Sequence, residues 1–451
     1  MKNEIYNGVF KVGYSRVDIT PSKLPIKATE SRSPVFDVVK DPLLATCVAV
    51  YDGEKTALII TLDTKGTYEY VITNILDRIM KATGLPKEQI MVSAIHNHSA
   101  PASSDDGNRP KFDWDEGTYE WLGEIFDKMG PLALAAIDDL VPAEIYTDVR
   151  DTAGMAYVRR YRHADGGYTA IQNRLCEVNT TPRVGHETDA DASLQIIKFA
   201  RAGKKDVVMC NWQGHVAHAV GHFSNCITAD LVYYARREVE RSNENLFAYY
   251  AGASGNLNLT CKVRREGGKV YASYVEVGEG IGQLIVDSLS KEMTKVNAGK
   301  IKADLINVTA KTRRDDPEKI KEAQLVQDSG YDKELRSKYG FVSSYEVNAY
   351  LDRATLGETE DIPLGIISFG DVAFVAAPYE MFDTNGMEVK EGSPFKTTFV
   401  LSCAGGNYDY MPSKFAFPHG GYEVFRCRYV EGTAEQLAEA FVDTLKKQNN
   451  G

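Results

Sequence analysis

Five of the eight histidines fall in two short clusters: His96 and His98 in SAIHNHSAP, and His215, His218 and His222 in NWQGHVAHAVGH. Each cluster stands just past an apolar run that reads as a strand, where open α/β folds gather their ligands. Glu380 in APYE, Asn256 in GASGN, and Asn407, Tyr408 and Tyr410 after LSCAGG share that placement. Imidazole nitrogen and carboxylate oxygen suit Zn²⁺, and an open catalytic site takes about three protein ligands plus water. Such an ion lowers the pKa of water from ~15.7 to about 7 and polarises a carbonyl as a Lewis acid. The two histidines of an HxH pair at a strand end share a face. One can therefore ligate while its neighbour meets the substrate. Spacing does not choose between Tyr408 and Tyr410.

Commoner chemistries are missing from the chain. It contains no HExxH, no GxSxG elbow and no GxxxxGK[ST] phosphate loop. Gly278, Gly280 and Gly282 form GxGxG, which lacks the spacing of a dinucleotide fingerprint and reads as a helix-packing run. Ser254 in GASGN reads as part of a tight turn rather than as a nucleophile.

The elements that must position these groups follow from the hydropathy pattern. Residues 56–63 (TALIITLD) form a buried-strand pattern. Val71, Ile72, Ile75, Leu76, Ile79 and Met80 then recur at helical spacing up to Gly84, a good helix terminator before Pro86. Further strands are expected at 89–95, 206–212, 246–251, 372–377 and 397–403, with helices at 119–140, 229–241, 277–291 and 434–447. This alternation predicts an α/β fold: a large mixed β-sheet core, surrounding helices, and a metal site at the carboxyl ends of strands. Candidate groups spread from His96 to Tyr408 or Tyr410 are expected to converge on one site, so residues 1–451 are expected to form one catalytic unit. The charged stretch at about 315–356 reads as a helical insertion at its surface. No internal repeat is visible in the sequence.

Composition narrows the partners. The 451 residues carry 52 Lys plus Arg against 63 Asp plus Glu, a net charge of −11. That balance argues against nucleic acid and against stable association with an anionic membrane. Seven scattered cysteines (Cys47, Cys176, Cys210, Cys226, Cys261, Cys403 and Cys427) form no CxxC and read as buried thiols of a reducing compartment. No apolar leader and no run of ~18 apolar residues is seen, so a cytoplasmic location is expected. Oligomeric state is not legible.

At the residues singled out above, the chain resembles the neutral (alkaline) ceramidases, in particular their catalytic domain and its shorter bacterial relatives. SAIHNHSAP is similar to the family's AxHxHSGP, its most specific motif. VGYSRVDITP and DPLLATCVAVYDGEKTALIITLD look like the family's opening, and VRRYRHADGG resembles an NRRY-type segment with Val158 in place of Asn. NWQGHVAHAVGHFSNCITAD, GASGNLN, APYEMF and NYDYMPSKFAFPHGGYEVFRCRY continue the series in the family's order.

The resemblance implies one zinc per chain, held by His96, His215, Glu380 and Tyr410. It implies His98 beside the metal, Arg159 (or its neighbour Arg160) binding a developing oxyanion, and a hydrogen bond from Tyr422 or Tyr429. The implied reaction is hydrolysis of an amide C–N bond by attack of metal-activated water. HSAPASSDD stands where the family has HSGPGG, His218 and His222 stand where it has no histidine, and no C-terminal immunoglobulin-like domain is seen. These departures point to a small, polar N-acyl substrate. The same parts would serve an ester, lactone or carbohydrate derivative, or a protein that binds a polar ligand without catalysis. His218 and His222 read as structural groups, or as the wall of a polar pocket or aids to a second metal.

Overall fold

The computed structural model describes residues 10–28, 35–101, 103, 115–170, 182–219, 225–259, 264–266, 269–271, 273–341 and 343–450. Its apolar runs become strands buried almost throughout, as in Thr56–Leu62, Asp206–Trp212 and Val372–Ala377. Strands covered on both faces need no polar alternation, which is why they read as continuous hydrophobic runs.

One pattern of pairing occurs three times. Lys11–Asp18, Leu44–Tyr51 and Thr56–Leu62 run antiparallel in turn, then helix Glu69–Thr83 crosses to Ile90–Ala94, parallel to Thr56–Leu62. Val141–Asp151, Ser193–Arg201 and Asp206–Trp212 repeat this, with helix Asp230–Glu240 leading to the parallel strand Asn245–Ala251. Ile301–Lys311, Thr359–Phe369 and Val372–Ala377 do so again, through helix Asp383–Gly392 to Thr397–Ser402. The first two units join edge to edge through Lys11–Asp18 and Val141–Asp151. With Thr294–Val296 they make a nine-stranded sheet, while the third unit forms a four-stranded sheet. The expectation of no repeat is therefore corrected. What recurs is strand order and direction, which different apolar side chains satisfy equally well, so residue identities conceal it.

Alternation of side chains across the strands sets the layers. Val48, Val50, Ile59, Phe199 and Met209 of the large sheet meet Ile367, Phe374, Phe399 and Leu401 of the smaller one. The opposite faces of the same strands take helices. Cys47, Ala49, Leu58 and Ile60 lie under Glu69–Thr83 and Glu116–Asp138. Ile196, Val208 and Cys210 lie under Asp230–Glu240 and Ser273–Leu289. Leu364, Ile366, Val375 and Val400 lie under Thr433–Asn450. The result is a helix–sheet–sheet–helix sandwich, a mixed α/β fold as expected.

The GxGxG run sits in helix Ser273–Leu289, packed on Asp230–Glu240. A Cβ at Gly278 would stand 2.3 Å from Leu231 O, and one at Gly282 would stand 2.6 Å from Glu238 Cβ. Gly278→Val is accordingly expected to destabilise the protein by about 1–3 kcal/mol through overpacking. A lower thermal midpoint, with Gly280→Ala as the milder comparison, would check this.

Residues 317–354 contain three helices, Pro317–Asp328, Lys333–Lys338 and Ser344–Ala354, around a small cluster of Ala323, Val326, Phe341 and Val347. Among the described cysteines, Cys47, Cys210, Cys403 and Cys427 are buried, Cys226 is partly so, and all are free thiols. Cys176 and Cys261 lie outside the described residues. Among the described helices none is long and apolar enough to cross a membrane.

Candidate metal centre

The three units deliver their polar groups from the carboxyl ends of their third and fourth strands. His96 follows Ile90–Ala94 and adopts φ 61°, which is costly for a residue with a Cβ. Its neighbours hold it there. Ile95 N donates to Leu62 O at 3.0 Å and Asn97 N to Thr64 O at 3.0 Å. The Asn97 side chain donates to Asp63 O at 3.2 Å and Thr228 O at 2.8 Å. His98 N donates to Val216 O at 3.1 Å, tying the first histidine segment to the second. His215 follows Asp206–Trp212 after Gln213 and Gly214. A Cβ on Gly214 would lie 2.0 Å from the Trp212 ring, so only glycine lets the chain turn here.

The three imidazoles then meet. One ligand atom each from His96, His98 and His215 lies within 4.8 Å of the others, and this group could hold a metal ion. His96 Nδ1 faces Lys65 O at 3.1 Å and His215 Nδ1 faces Ser254 O at 3.1 Å. A carbonyl only accepts, so both Nδ1 atoms carry a proton, which leaves each Nε2 as the atom a cation would bind. His96 Nε2 lies 3.1 Å from His98 Nε2 and 3.2 Å from Glu380 Oε2. That carboxylate oxygen is buried, and the imidazole is its nearest source of positive charge. Imidazoles oriented through carbonyls, together with a buried carboxylate oxygen 3.2 Å from His96 Nε2, fit the needs of a divalent cation.

The electrostatics agree with the geometry. Burial works against charge on His96, but the Glu380 carboxylate, followed by Cys403, overrides it and raises the imidazole to about 10. Burial would raise Glu380, whereas His96, Tyr410 and Arg159 hold it down to about 2. Positive charge is thus favoured where the donors meet. His215 is pushed well below its ordinary value by burial, then by Arg159 and the other two histidines, which keeps it neutral. Burial and then Glu380 raise the Tyr410 phenol well above its ordinary value, against Arg159.

Glu380 and Tyr410 are register partners in a short parallel pair, which sets the carboxylate beside the phenol. Arg159 Nη2 donates to Tyr410 Oη at 3.2 Å and to Gly255 O at 2.7 Å. Arg160 turns elsewhere, to Glu187 at 2.6 Å and Gly420 O at 2.8 Å. Tyr422 stands edge-on to Tyr410 with ring centroids 5.4 Å apart. Tyr408 packs instead against the apolar cluster of the four-stranded sheet. Tyr429 is fully buried in that same cluster, with Ile362, Leu437 and Phe441, and is not among the groups gathered round the histidines.

His218 is bonded rather than gathered in. Its backbone N donates to Asp230 Oδ2 at 2.9 Å, and its ring bonds Asn258. His222 lies outside the described residues. Ser254 lies in a turn, with Leu257 N donating to its carbonyl at 3.0 Å, and that same carbonyl fixes His215. The sequence reading passed over Cys403 (3.4 Å from His96 Nδ1) and Glu423, whose carboxylate bonds Arg159 at 2.8 Å. The only local signal for Glu423 was its place beside Tyr422, because a buried glutamate and a surface one look alike in sequence.

Fold and site together define an α/β sandwich with a three-histidine candidate metal centre at its strand ends. Over 97% of its length this chain superposes on neutral ceramidase from Pseudomonas aeruginosa, with a TM-score of 0.71, 15% identity and 74% of that chain covered. A ceramidase complexed with C2 gives a TM-score of 0.70 at 14% identity, over 98% of this chain and 76% of that one. No protein-family model matches the sequence, and no curated protein does. The chain therefore has a ceramidase-like fold, as the motif series led one to expect.

Proposed function

We propose that this chain is a zinc-dependent hydrolase that cleaves the amide C–N bond of a small or polar N-acyl substrate. The observation that carries this reading is the approach of His96 Nε2 to His98 Nε2 and Glu380 Oε2 at 3.1 and 3.2 Å, with proton-bearing Nδ1 atoms turned onto carbonyls. His96, His215, Glu380 and Tyr410 would hold one ion. When bound, zinc would polarise a carbonyl and lower the pKa of water to about 7.

The chain's own groups do the rest. His98, on the loop of His96 with its Nε2 3.1 Å from that of His96, would accept a proton from the attacking water and pass it on. Arg159 and the Tyr422 phenol are donors for the oxygen that gains negative charge. Loss of one such donor commonly costs about 10²–10³ in rate. The choice of an amide rests on the resemblance and the ceramidase-like fold, and the choice of a polar substrate rests on the HSAPASSDD segment and the −11 charge.

The test is metal analysis of the purified protein, followed by a panel of N-acyl amides, esters and lactones offered to the metal-stripped and zinc-loaded forms. Zinc near one equivalent and amide hydrolysis that disappears on stripping are expected. Turnover of esters or lactones alone would replace the amide. Ligand binding without any turnover would make this a binding protein, and equal activity in the stripped form would remove the metal from the reaction.

A further inference from the structure

Two adjacent buried arginines next to a candidate catalytic centre need an explanation, because each must be held ionised away from water. We propose that Glu423 is the positioning residue for Arg159 in the hydrolysis proposed above, a role that rests on that reading. Glu423 is fully buried and divides its carboxylate: Oε1 accepts Arg159 Nε at 2.8 Å, and Oε2 accepts Arg160 Nη1 at 3.1 Å. Arg159 Nη2 is occupied by Gly255 O and Tyr410 Oη. With Nε and Nη2 fixed, the guanidinium plane has no rotation left. Nη1 is the one nitrogen with no partner among the described residues, so it is the donor available to a substrate oxygen.

The carboxylate is itself held from behind. Arg160 is gripped on its far side by Glu187, at 2.6 and 3.1 Å, and donates to Ala416 O at 3.2 Å. Glu423 cannot swing toward solvent without abandoning that second arginine. Its helix, Tyr422–Arg426, begins after Gly420 and Gly421 at φ 60° and 93°. That single turn sets Tyr422 against Tyr410 and Glu423 against Arg159 together. Arg353 donates to Phe425 O and Arg313 to Val424 O, so residues bordering and within the helical insertion pin the same turn. Preorganised donors stabilise developing charge because they need no reorientation as the reaction proceeds.

A purely structural role would make Glu423 no more than the counter-charge of two arginines, and the experiment separates the two. Glu423→Gln keeps the shape but ends the charge-assisted bond to Nε. It is expected to lower kcat about 10–100-fold with KM and zinc content little changed. Glu423→Asp keeps the charge and is expected to restore part of the loss; it also serves if the Gln variant folds poorly. Asp191→Asn removes a buried carboxylate that pairs with Lys390 at 2.8 Å and takes no part in holding Arg159, and should lower stability while sparing kcat. A second readout is the ¹⁵N–¹H resonance of Arg159 Nε, expected to exchange slowly with water in the wild type and quickly in Glu423→Gln. Wild-type kcat in Glu423→Gln, an equal kcat loss in Asp191→Asn, or persistent slow exchange would overturn the proposal. If the wild-type protein hydrolyses nothing on the panel, the hydrolase reading fails and takes the catalytic role with it. The exchange measurement then still decides whether Glu423 holds Arg159.

Discussion

Replacement of His96 is expected to lower zinc content below one-tenth of an equivalent and hydrolysis by at least about 10²–10³, the cost of losing one strong stabilising group. His96 is the hub of the centre: its Nε2 lies 3.1 Å from His98 and 3.2 Å from Glu380, and its Nδ1 is oriented by Lys65 O. Without the imidazole, the Glu380 carboxylate would stay buried beside a gap with its main source of positive charge removed. Two variants are needed, because the backbone here is left-handed at φ 61°. Alanine carries the cost of that conformation, whereas asparagine adopts it readily. Metal analysis and single-turnover kinetics on His96→Ala and His96→Asn check the expectation. Full zinc content and full activity in a folded His96→Asn protein would show that the centre lies elsewhere.

The largest expected effect on stability belongs to Arg160. Its side chain is 1% exposed and binds Glu187 and Glu423 by three of its bonds. Arg160→Met would leave two buried carboxylates short of a partner, and removing one member of such a group typically costs about 3–5 kcal/mol. A fall in the urea midpoint with an unchanged slope is the expected signature. The exposed pair Lys321–Glu318, with side chains 68% and 75% accessible, offers the contrast. Lys321→Met should leave the midpoint where it was, because solvent already screens that pair. Equal effects from the two substitutions would mean that the buried ladder contributes nothing beyond ordinary surface charge.

Much of the fold was legible because its cues are local. The run TALIITLD and the 3.6-residue recurrence from Val71 to Met80 describe, within a residue or two, the strand Thr56–Leu62 and most of the helix Glu69–Thr83. The antiparallel strands Lys11–Asp18 and Val141–Asp151 were harder to see. Lys11–Asp18 buries only the short run Val12, Gly13 and Tyr14, Val141–Asp151 buries only Ile145 and Thr147, and pairing between residues more than a hundred positions apart leaves no mark on either segment alone. The threefold pairing pattern stayed hidden for the same reason.

The candidate centre divides along the same line. Sequence by itself determined the supply of chemistry: two histidine clusters, a glutamate and two tyrosines, each just past an apolar run. Residue type and strand-end position are local properties, so they survive without coordinates. Only the tertiary structure decided which of those groups face one another. It turned Tyr410 toward Arg159 and Tyr408 into the apolar cluster, although the two lie on one short loop. It directed Arg159 to Tyr410 and Arg160 to Glu187, and it bound His218 to Asn258, away from the three imidazoles that meet. These choices depend on side-chain direction and on partners supplied by three separate units. They are set by packing across the sandwich and cannot be read from any one stretch of chain.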